Sequence, residues 1–493
     1  MNIINYGVIF IILNYLLLII VSKVSNRVNY IERFSSKIVK QYGLIISIFI
    51  LYIVLIWWYK YDPNNREQLI NNLIIDETNG LLGSNIILGF DSISLYYCLL
   101  IGIIIPISIL SGWYMKSNQS NLYILLILLI GILLWINFIT LELLSYYILF
   151  ESTLIPLFIL VGIYGSLNKE KAAYYILLYT LLGSLFMLLS ICITTYLLKS
   201  TNYYVYNGLI ISLDLQIILW LGLFISIMVK SPLFPLHIWL PVVHSESPLA
   251  GSIILASLVL KLTIYLVLRW MLPILSEGTL IFTPLVYVIC LLTIVLISLI
   301  TIIQIDLKVI IAYSSISHMA VCILGIFSNN VIGIDGSYIL SIAHGLVSPG
   351  LFIAVGGVLY DRYHTRILIY YNGLLSIMPL FSLYFIILSF ANIGTPLSAN
   401  FIGEFLASLG AFKTSPIIAA ICSSAILLSA AYQFKLTNRI TGGTNYYINN
   451  IGDVTKRESF MFIAIIIPTL IIGIYPQPII NNLSFIISST IYS

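Results

Sequence analysis

Apolar runs of about twenty residues recur almost without pause along this chain, and that repetition constrains its fold more than any other feature. A membrane-crossing helix needs about 20 apolar residues. In lipid every backbone polar group must be bonded within the segment, which leaves helices or closed barrels. Runs of this length read as helices. They fall near 4–22, 43–59, 91–113, 121–141, 143–165, 173–198, 213–240, 249–270, 279–303, 308–328, 337–359, 371–394, 396–434 and 459–477. The run 396–434 is broken, holding half-helices and a full span. The expected fold is all-α and polytopic, with about 14 transmembrane helices and no inserted soluble domain. The largest hydrophilic loop, about 60–90, is itself half apolar.

Composition agrees. Of 493 residues, 60% are hydrophobic and 8% charged, against about 25% charged in soluble domains. The mean hydropathy is +1.08. The net charge of +4 is spread over loops and does not point to nucleic acid. Cys98, Cys192, Cys290, Cys322 and Cys422 all sit in apolar runs without a CxxC pair, so they read as packing residues. His237, His244 and Glu246 lack the spacing of a zinc site. No glycine-rich phosphate loop follows a strand. Residues 1–22 lack the Arg- and Ser-rich character of a transit peptide, so the chain is expected to be inserted as made. Abundant Ile, Asn, Tyr and Leu suggest an A/T-biased organellar genome.

Loops after odd-numbered spans hold fifteen Lys and Arg residues, from Lys23 to Arg457. The other side holds five: Lys60, Arg66, Lys199, Arg269 and Lys413. By the positive-inside rule this asymmetry places both termini on the outer side.

Two prolines, Pro232 and Pro235, interrupt span 7 just after Lys230, and Gly-Thr-Pro at 394–396 interrupts span 12. Proline-broken helices at matching places in two halves point to an inverted-repeat transporter. The expected division is 1–120 (spans 1–3), 121–270 (first repeat, spans 4–8), 279–436 (second repeat, spans 9–13) and 437–493 (a loop, span 14 and the tail).

A charge at the bilayer centre costs about 2.5–3.5 kcal/mol on insertion scales, so each one needs a reason. Lys261 in "LASLVLKLTIYLVLRW" has apolar neighbours on every side of its helix, Glu151 in "LFESTLIPLF" is flanked by apolar residues, and Glu404 in "SANFIGEFL" is the one acid in the second break region. Lys230 stands where prolines free backbone carbonyls. A helix end there would hold its proton, and desolvation would release it. His344 shares a helix face with Ser341 and Ser348. His318, a turn from Ser314 and Ser315, reads as a relay residue or as a satisfied core histidine. Glu142, nine residues before Glu151, reads as a span boundary, and Asp91 as a helix cap or boundary charge. No nucleophile has a base partner. The pattern is that of a proton relay: Glu151, Lys230, Lys261, His344 and Glu404 as stations, with His237, His244, Glu246, Lys308 and His318 as accessories. Moving one charge through 100 mV takes about 2.3 kcal/mol. A membrane near 200 mV thus asks for a swing of about three pKa units, and bringing an opposite charge close supplies 1–3.

The stretches "GFDSISLYY", "FESTLIP", "MVKSPLFPLHIWLPVVHSESPLAGS", "LVLKL", "DLKVIIAYSSISHM", "AHGLVSPGLF" and "NFIGEF" resemble the antiporter-like membrane subunits of respiratory complex I, the mitochondrial NADH:ubiquinone oxidoreductase. The resemblance runs from about residue 88 to 436. It implies 14 helices with two inverted five-helix repeats, a Glu151–Lys230 charged pair, Lys261 as central relay, His344 as connecting site and Glu404 as terminal relay. Glutamate at the last station resembles the subunit 4 branch, since subunits 2 and 5 carry lysine there. The resemblance further implies no cofactor in this chain, neighbouring antiporter-like subunits 2 and 5 and membrane lipids as partners, and a mitochondrial inner-membrane location. A stand-alone sodium/proton antiporter and a purely structural spacer are the competing readings.

Overall fold

The computed structural model describes residues 11, 13–19, 32–62, 71–73, 86–115, 117–207, 211–444 and 452–483. Twelve of the described helices are long and apolar enough to cross a membrane, and Pro379–Ile393 is a further, shorter apolar helix. The run expected near 4–22 lies largely outside the described residues.

The chain divides into two compact units, residues 1–227 with 265–278 and residues 228–264 with 279–493. The first holds α1 (Glu32–Lys60), α2 (Ser92–Ser111), α3 (Ser117–Ile139), α4 (Leu143–Ser152), α5 (Leu154–Tyr164), α6 (Lys169–Leu198) and most of α7 (Leu213–Lys230). The second holds α8 (Trp239–Glu246), most of α9 (Leu249–Ile274), α10 (Ser276–Ile303), α11 (Leu307–Ile326), α12 (Val331–Tyr363), α13 (Pro379–Ile393), α14 (Ala399–Thr414), α15 (Pro416–Thr441) and α16 (Lys456–Ile474). The unit boundaries fall inside α7, α9 and α10.

In the first unit large aromatic rings fill the centre. Trp57 of α1 stacks on Trp135 of α3 at 5.2 Å between ring centroids, and Tyr97 of α2 stacks on Phe138 at 4.9 Å. The loop expected at about 60–90, itself half apolar, contributes two three-residue strands, β1 (Asn71–Leu73) and β2 (Ile86–Leu88), paired antiparallel. Past β2 the backbone continues to pair. Gly89 N donates to Ile139 O at 2.7 Å and Leu141 N to Ile87 O at 2.9 Å. On its other side the same short segment pairs with residues 201–203: Leu143 N donates to Thr201 O and Tyr203 N to Leu141 O, each at 3.0 Å. Residues 139–142 are thus clamped between two extended neighbours, which answers their backbone groups where α3 ends and α4 begins.

The break after Lys230 is satisfied from within. Leu233 N donates to Met228 O at 2.9 Å, and the Trp239 indole N–H donates to Val229 O at 2.8 Å. The proline-freed carbonyls therefore keep partners, the condition for an interrupted helix at membrane depth. The second break runs from Gly394, with φ +80°, to Ser398, whose hydroxyl accepts from Phe401 N and starts α14. The span expected at 371–394 starts later, at Pro379, because a proline is best placed in a helix's first turn. The expected 337–359 is longer, Val331–Tyr363.

Sequence periodicity did not announce the π-helical segments. Two interrupt α9, at Leu255–Val259 and Val267–Met271, and flank Lys261. A third, Ile353–Leu359, interrupts α12 nine residues after His344. Such widened turns shift the hydrogen-bond register and leave acceptors available.

Small residues bring α12 and α14 together. A Cβ on Gly336 would lie 2.4 Å from Ala407 N, and one on Gly403 would lie 2.6 Å from the Leu340 backbone. The pairing of 336 with 407 and 340 with 403 makes the two helices antiparallel. Gly336→Ala should force them apart and destabilise the protein by about 1–3 kcal/mol. The midpoint of thermal unfolding in detergent or lipid measures this, and an unchanged midpoint would show that the contact is slack.

Candidate functional site: a buried line of titratable groups

The second unit assembles four ionisable side chains in its interior. Lys261 is fully buried on α9. Its ammonium donates to Ala256 O at 2.6 Å, a carbonyl of the first π segment, and to Nδ1 of His344 at 2.8 Å. With Nδ1 accepting, neutral His344 carries its proton on Nε2. The His344 ring, on α12, lies 5.6 Å from the His318 ring, on α11, centroid to centroid. His318 Nδ1 meets Oε1 of Glu404 at 2.9 Å. The other carboxylate oxygen, Oε2, would lie 2.8 Å from a Cβ on Gly394. The left-handed glycine at the second break thus leaves room for the acid. All four side chains are buried. The Nε2 atoms of His344 and His318 have no hydrogen-bond partner among the described residues, so the two halves of the line are joined by ring proximity rather than by a direct bond.

Sequence reasoning named Lys261, His344 and Glu404 as stations but left His318 an accessory. The geometry puts His318 between His344 and Glu404. Ser341 Oγ donates to Tyr338 O and Ser348 Oγ to His344 O, within their own helix. One-helix patterns identify which residues share a face but not what stands opposite.

The accessories stand around this line in the same unit. Lys308 is buried and donates to Ser247 O at 3.1 Å. Its side chain passes over Gly356, where a Cβ would lie 2.7 Å from Lys308 Cε. Arg366 bonds Ser245 O, so two cations hold the C-terminal end of α8, where Glu246 is the last residue. His244 is fully buried and stacks on Phe352 at 4.7 Å and 10° between planes; neither ring nitrogen has a hydrogen-bond partner among the described residues. His237 stacks on Phe234 at 5.9 Å. Lys230 ends α7, 1% exposed.

Glu151 lies in the first unit, near the end of α4, with Oε1 buried and without a hydrogen-bond partner among the described residues. Glu142 stands just before α4, 1% exposed, and accepts from the Thr201 hydroxyl at 2.6 Å. Burial pushes its carboxyl above the ordinary carboxylate range, against the downward pull of that hydroxyl. Asp91 does open α2, as expected, with its N–H donating to Ser94 Oγ at 2.8 Å. It also carries an ion pair that the sequence did not suggest. Arg269 Nη1 reaches Asp91 Oδ2 at 2.6 Å. Arg269, counted above among the loop charges, is 3% exposed inside α9. The Tyr203 and Tyr265 rings lie 5.3 and 5.6 Å from its guanidinium. Removing it from the loop count sharpens the charge asymmetry.

Among the described residues no group of three or more His, Cys, Asp or Glu could hold a metal ion. What the four buried side chains offer is a sequence of proton acceptors and donors.

A family model described as "NADH:quinone oxidoreductase/Mrp antiporter, TM" matches residues 140–429, a stretch that includes Lys230, Lys261, His318, His344 and Glu404. That sets the class: antiporter-like membrane subunits. A protein of Yarrowia lipolytica named NADH-ubiquinone oxidoreductase chain 4 is 52% identical over 461 residues, covering 92% of this chain and 95% of its own. The chain belongs to the NADH-ubiquinone oxidoreductase chain 4 family. A chain in the structure of respiratory complex I from Thermus thermophilus with bound NADH is similar at TM-score 0.84 and 25% identity, over 92% of this chain and 95% of that one. A chain of the Mrp complex from Dietzia sp. reaches TM-score 0.83 at 16% identity, over 100% of both chains, and shows the shared fold.

If the line conducts protons, His318→Gln should slow proton transfer by roughly 10²-fold, the scale for losing one positioned acid–base group. Proton uptake by the reconstituted complex reads this out; wild-type rates in that variant would remove His318 from the line.

Proposed function

We propose that this chain is a proton-translocating membrane-arm subunit of respiratory complex I, with Glu151, Lys230, Lys261, His344, His318 and Glu404 as its relay. The observation that carries this reading is the continuous placement of Lys261, His344, His318 and Glu404 in the buried interior of the second unit. Membrane proteins bury charges at such cost only where function requires it. NADH oxidation and ubiquinone reduction occur elsewhere in the complex and supply the driving force. This chain holds no redox centre in this reading, and no step uses a cofactor within it.

The relay works by alternating charge states. A proton on Lys261 is held by Ala256 O and His344 Nδ1. Donating it to His344 makes that ring cationic and favours release onward from Nε2. His318 takes the proton and, through its Nδ1, passes it to the Glu404 carboxylate. Each transfer needs groups within hydrogen-bond reach or one water between them, and the 5.6 Å separation of the two rings is the step that a water bridges. In the reading taken from the family, Glu151 and Lys230 form a charged pair whose approach or separation shifts the affinity of Lys261 for its proton by the 1–3 pKa units an opposite charge supplies. Residues 121–270 and 279–436 form the two inverted repeats.

The location that fits is the mitochondrial inner membrane, with both termini on the intermembrane-space side and the gene in the organelle. The partners are other membrane-arm subunits, with antiporter-like subunits 2 and 5 as neighbours, and the surrounding lipid. The stand-alone antiporter is less supported, because the Yarrowia relative at 52% identity carries a complex I name, whereas the Mrp likeness is one of fold.

Lys261→Ala or Glu404→Ala should abolish proton pumping while the complex still assembles. Proton-to-electron stoichiometry in liposomes, with assembly checked on native gels, measures both. A normal stoichiometry in either variant would refute the relay.

A further inference from the structure

The second unit carries a cationic pocket on its surface, away from the buried line. It is an open hollow of about 500 Å³, lined by Lys435 and Arg439, by Gln304 and Asn438, and by Ile305 and Ile369 among others. Three stretches of chain form it: the residues just after α10, the segment between α12 and α13, and the last turns of α15. Among the described residues no acidic side chain lines it. The neighbouring acid in the sequence, Asp306, caps α11 instead, its Oδ1 accepting from Lys308 N at 2.9 Å and Val309 N at 3.4 Å.

Both cations are positioned by backbone groups. Lys435 Nζ donates to Ile302 O at 2.6 Å, and Arg439 Nη2 donates to Ile369 O at 3.1 Å. Ile302 belongs to the last turn of α10, where a helix leaves its carbonyls without partners of its own. Each of these bonds takes a single donor, and an ammonium and a guanidinium both have more. Lys435 and Arg439 stand one turn apart on α15, and both side chains are exposed. Two fixed cations with donors to spare suit the oxygens of a phosphate diester.

Away from the pocket the surface turns apolar. Leu292, Leu296, Leu299 and Ile303 form an exposed stripe along α10 that ends against Gln304. Leu427 and Phe434 are exposed on α15 and lead to Lys435. Steps of three, four and seven residues keep each set on one face of its helix. Both helices are long and apolar enough to cross a membrane. The three stretches that form the pocket follow spans 9, 11 and 13, the side on which the sequence concentrates Lys and Arg. The pocket therefore stands at the cation-rich membrane interface, at the head of two lipid-facing stripes. That is the polarity of a phospholipid, with charge at the interface and hydrocarbon beyond it. A soluble anion would match the cations and leave the stripes unused.

We propose that this pocket holds the head group of an anionic phospholipid, with its phosphate diester between Lys435 and Arg439 and its acyl chains along α10 and α15. The lipid ties the ends of these two helices to the segment before α13. The inference names a particular site and charge class within the surrounding lipid, and it stands apart from the proton-relay reading.

Photolabelling tests it. The assembled complex is placed in phosphatidylcholine nanodiscs that hold either phosphatidylglycerol or further phosphatidylcholine with a diazirine in an acyl chain, and labelled peptides are mapped by mass spectrometry. Photoreactive phosphatidylglycerol should label 285–303 and 427–434 in excess over the phosphatidylcholine probe. Unlabelled phosphatidylglycerol should compete, and inorganic phosphate should not. The excess should fall by roughly fivefold in Arg439→Gln, the scale of one interfacial cation, and vanish in Lys435→Gln/Arg439→Gln. Arg439 is exposed at the end of α15, so Arg439→Gln should fold; if the double variant does not assemble, the single variant and the comparison of the two lipids still decide. Equal labelling by both lipids, an excess unchanged in Arg439→Gln, displacement by inorganic phosphate, or no labelling because a neighbouring chain covers the pocket would each overturn the proposal.

Discussion

A lysine ammonium held in a buried helical interior by one carbonyl and one imidazole is the interaction on which the rest of this structure depends. Among the described residues Lys261 has no carboxylate partner in its hydrogen-bond shell. An ion pair would fix its charge, because removing a well-matched partner from a buried pair costs several kcal/mol. A neutral acceptor such as the His344 ring stabilises the ammonium and can also take its proton. The pair can therefore exist in two charge states without a large rearrangement. That property suits a carrier better than it suits a structural strut.

The backbone makes this possible. A regular α-helix spends its carbonyls internally and offers nothing to an amine at mid-span. The π segment at Leu255–Val259 widens the helix just before Lys261, and Ala256 O becomes an acceptor. At Glu404 the solution is different. The helix stops at Gly394, whose left-handed φ and missing side chain leave room for the carboxylate, and α14 restarts beyond it. At Lys230 prolines end the helix, and Trp239 answers a freed carbonyl. Three irregularities thus sit at three titratable residues. Each trades helical regularity for a local polar environment in an otherwise apolar interior.

Much of this was legible in the chain itself. Long apolar runs gave the polytopic all-α fold, and the rarity of charges singled out Lys261, His344 and Glu404. The proline and glycine interruptions marked both breaks. The rest was hidden for identifiable reasons. A π turn has no periodic signature in a helix that is apolar all round, as α9 is. His318 could not be ranked because its partner, Glu404, lies 86 positions away and on another helix. Arg269 read as a loop cation because it stands at the very end of the apolar run expected at 249–270; its partner Asp91, at the start of α2, lies 178 positions away. The clamp around Glu142 depends on backbone pairing among three loops, which side-chain patterns do not encode. The expectation of a Glu151–Lys230 pair came from the family resemblance, since no spacing within the chain implied it.

The central claim is that Glu404 gains and loses its proton by way of His318. Infrared difference spectroscopy of the reconstituted complex, comparing resting and turnover states, tests it most directly. The account predicts a carboxylic-acid C=O band that disappears in Glu404→Gln and shifts or vanishes in His318→Gln. A Glu404 band unchanged in frequency and amplitude when His318 is replaced, or no such band in the wild type, would contradict it.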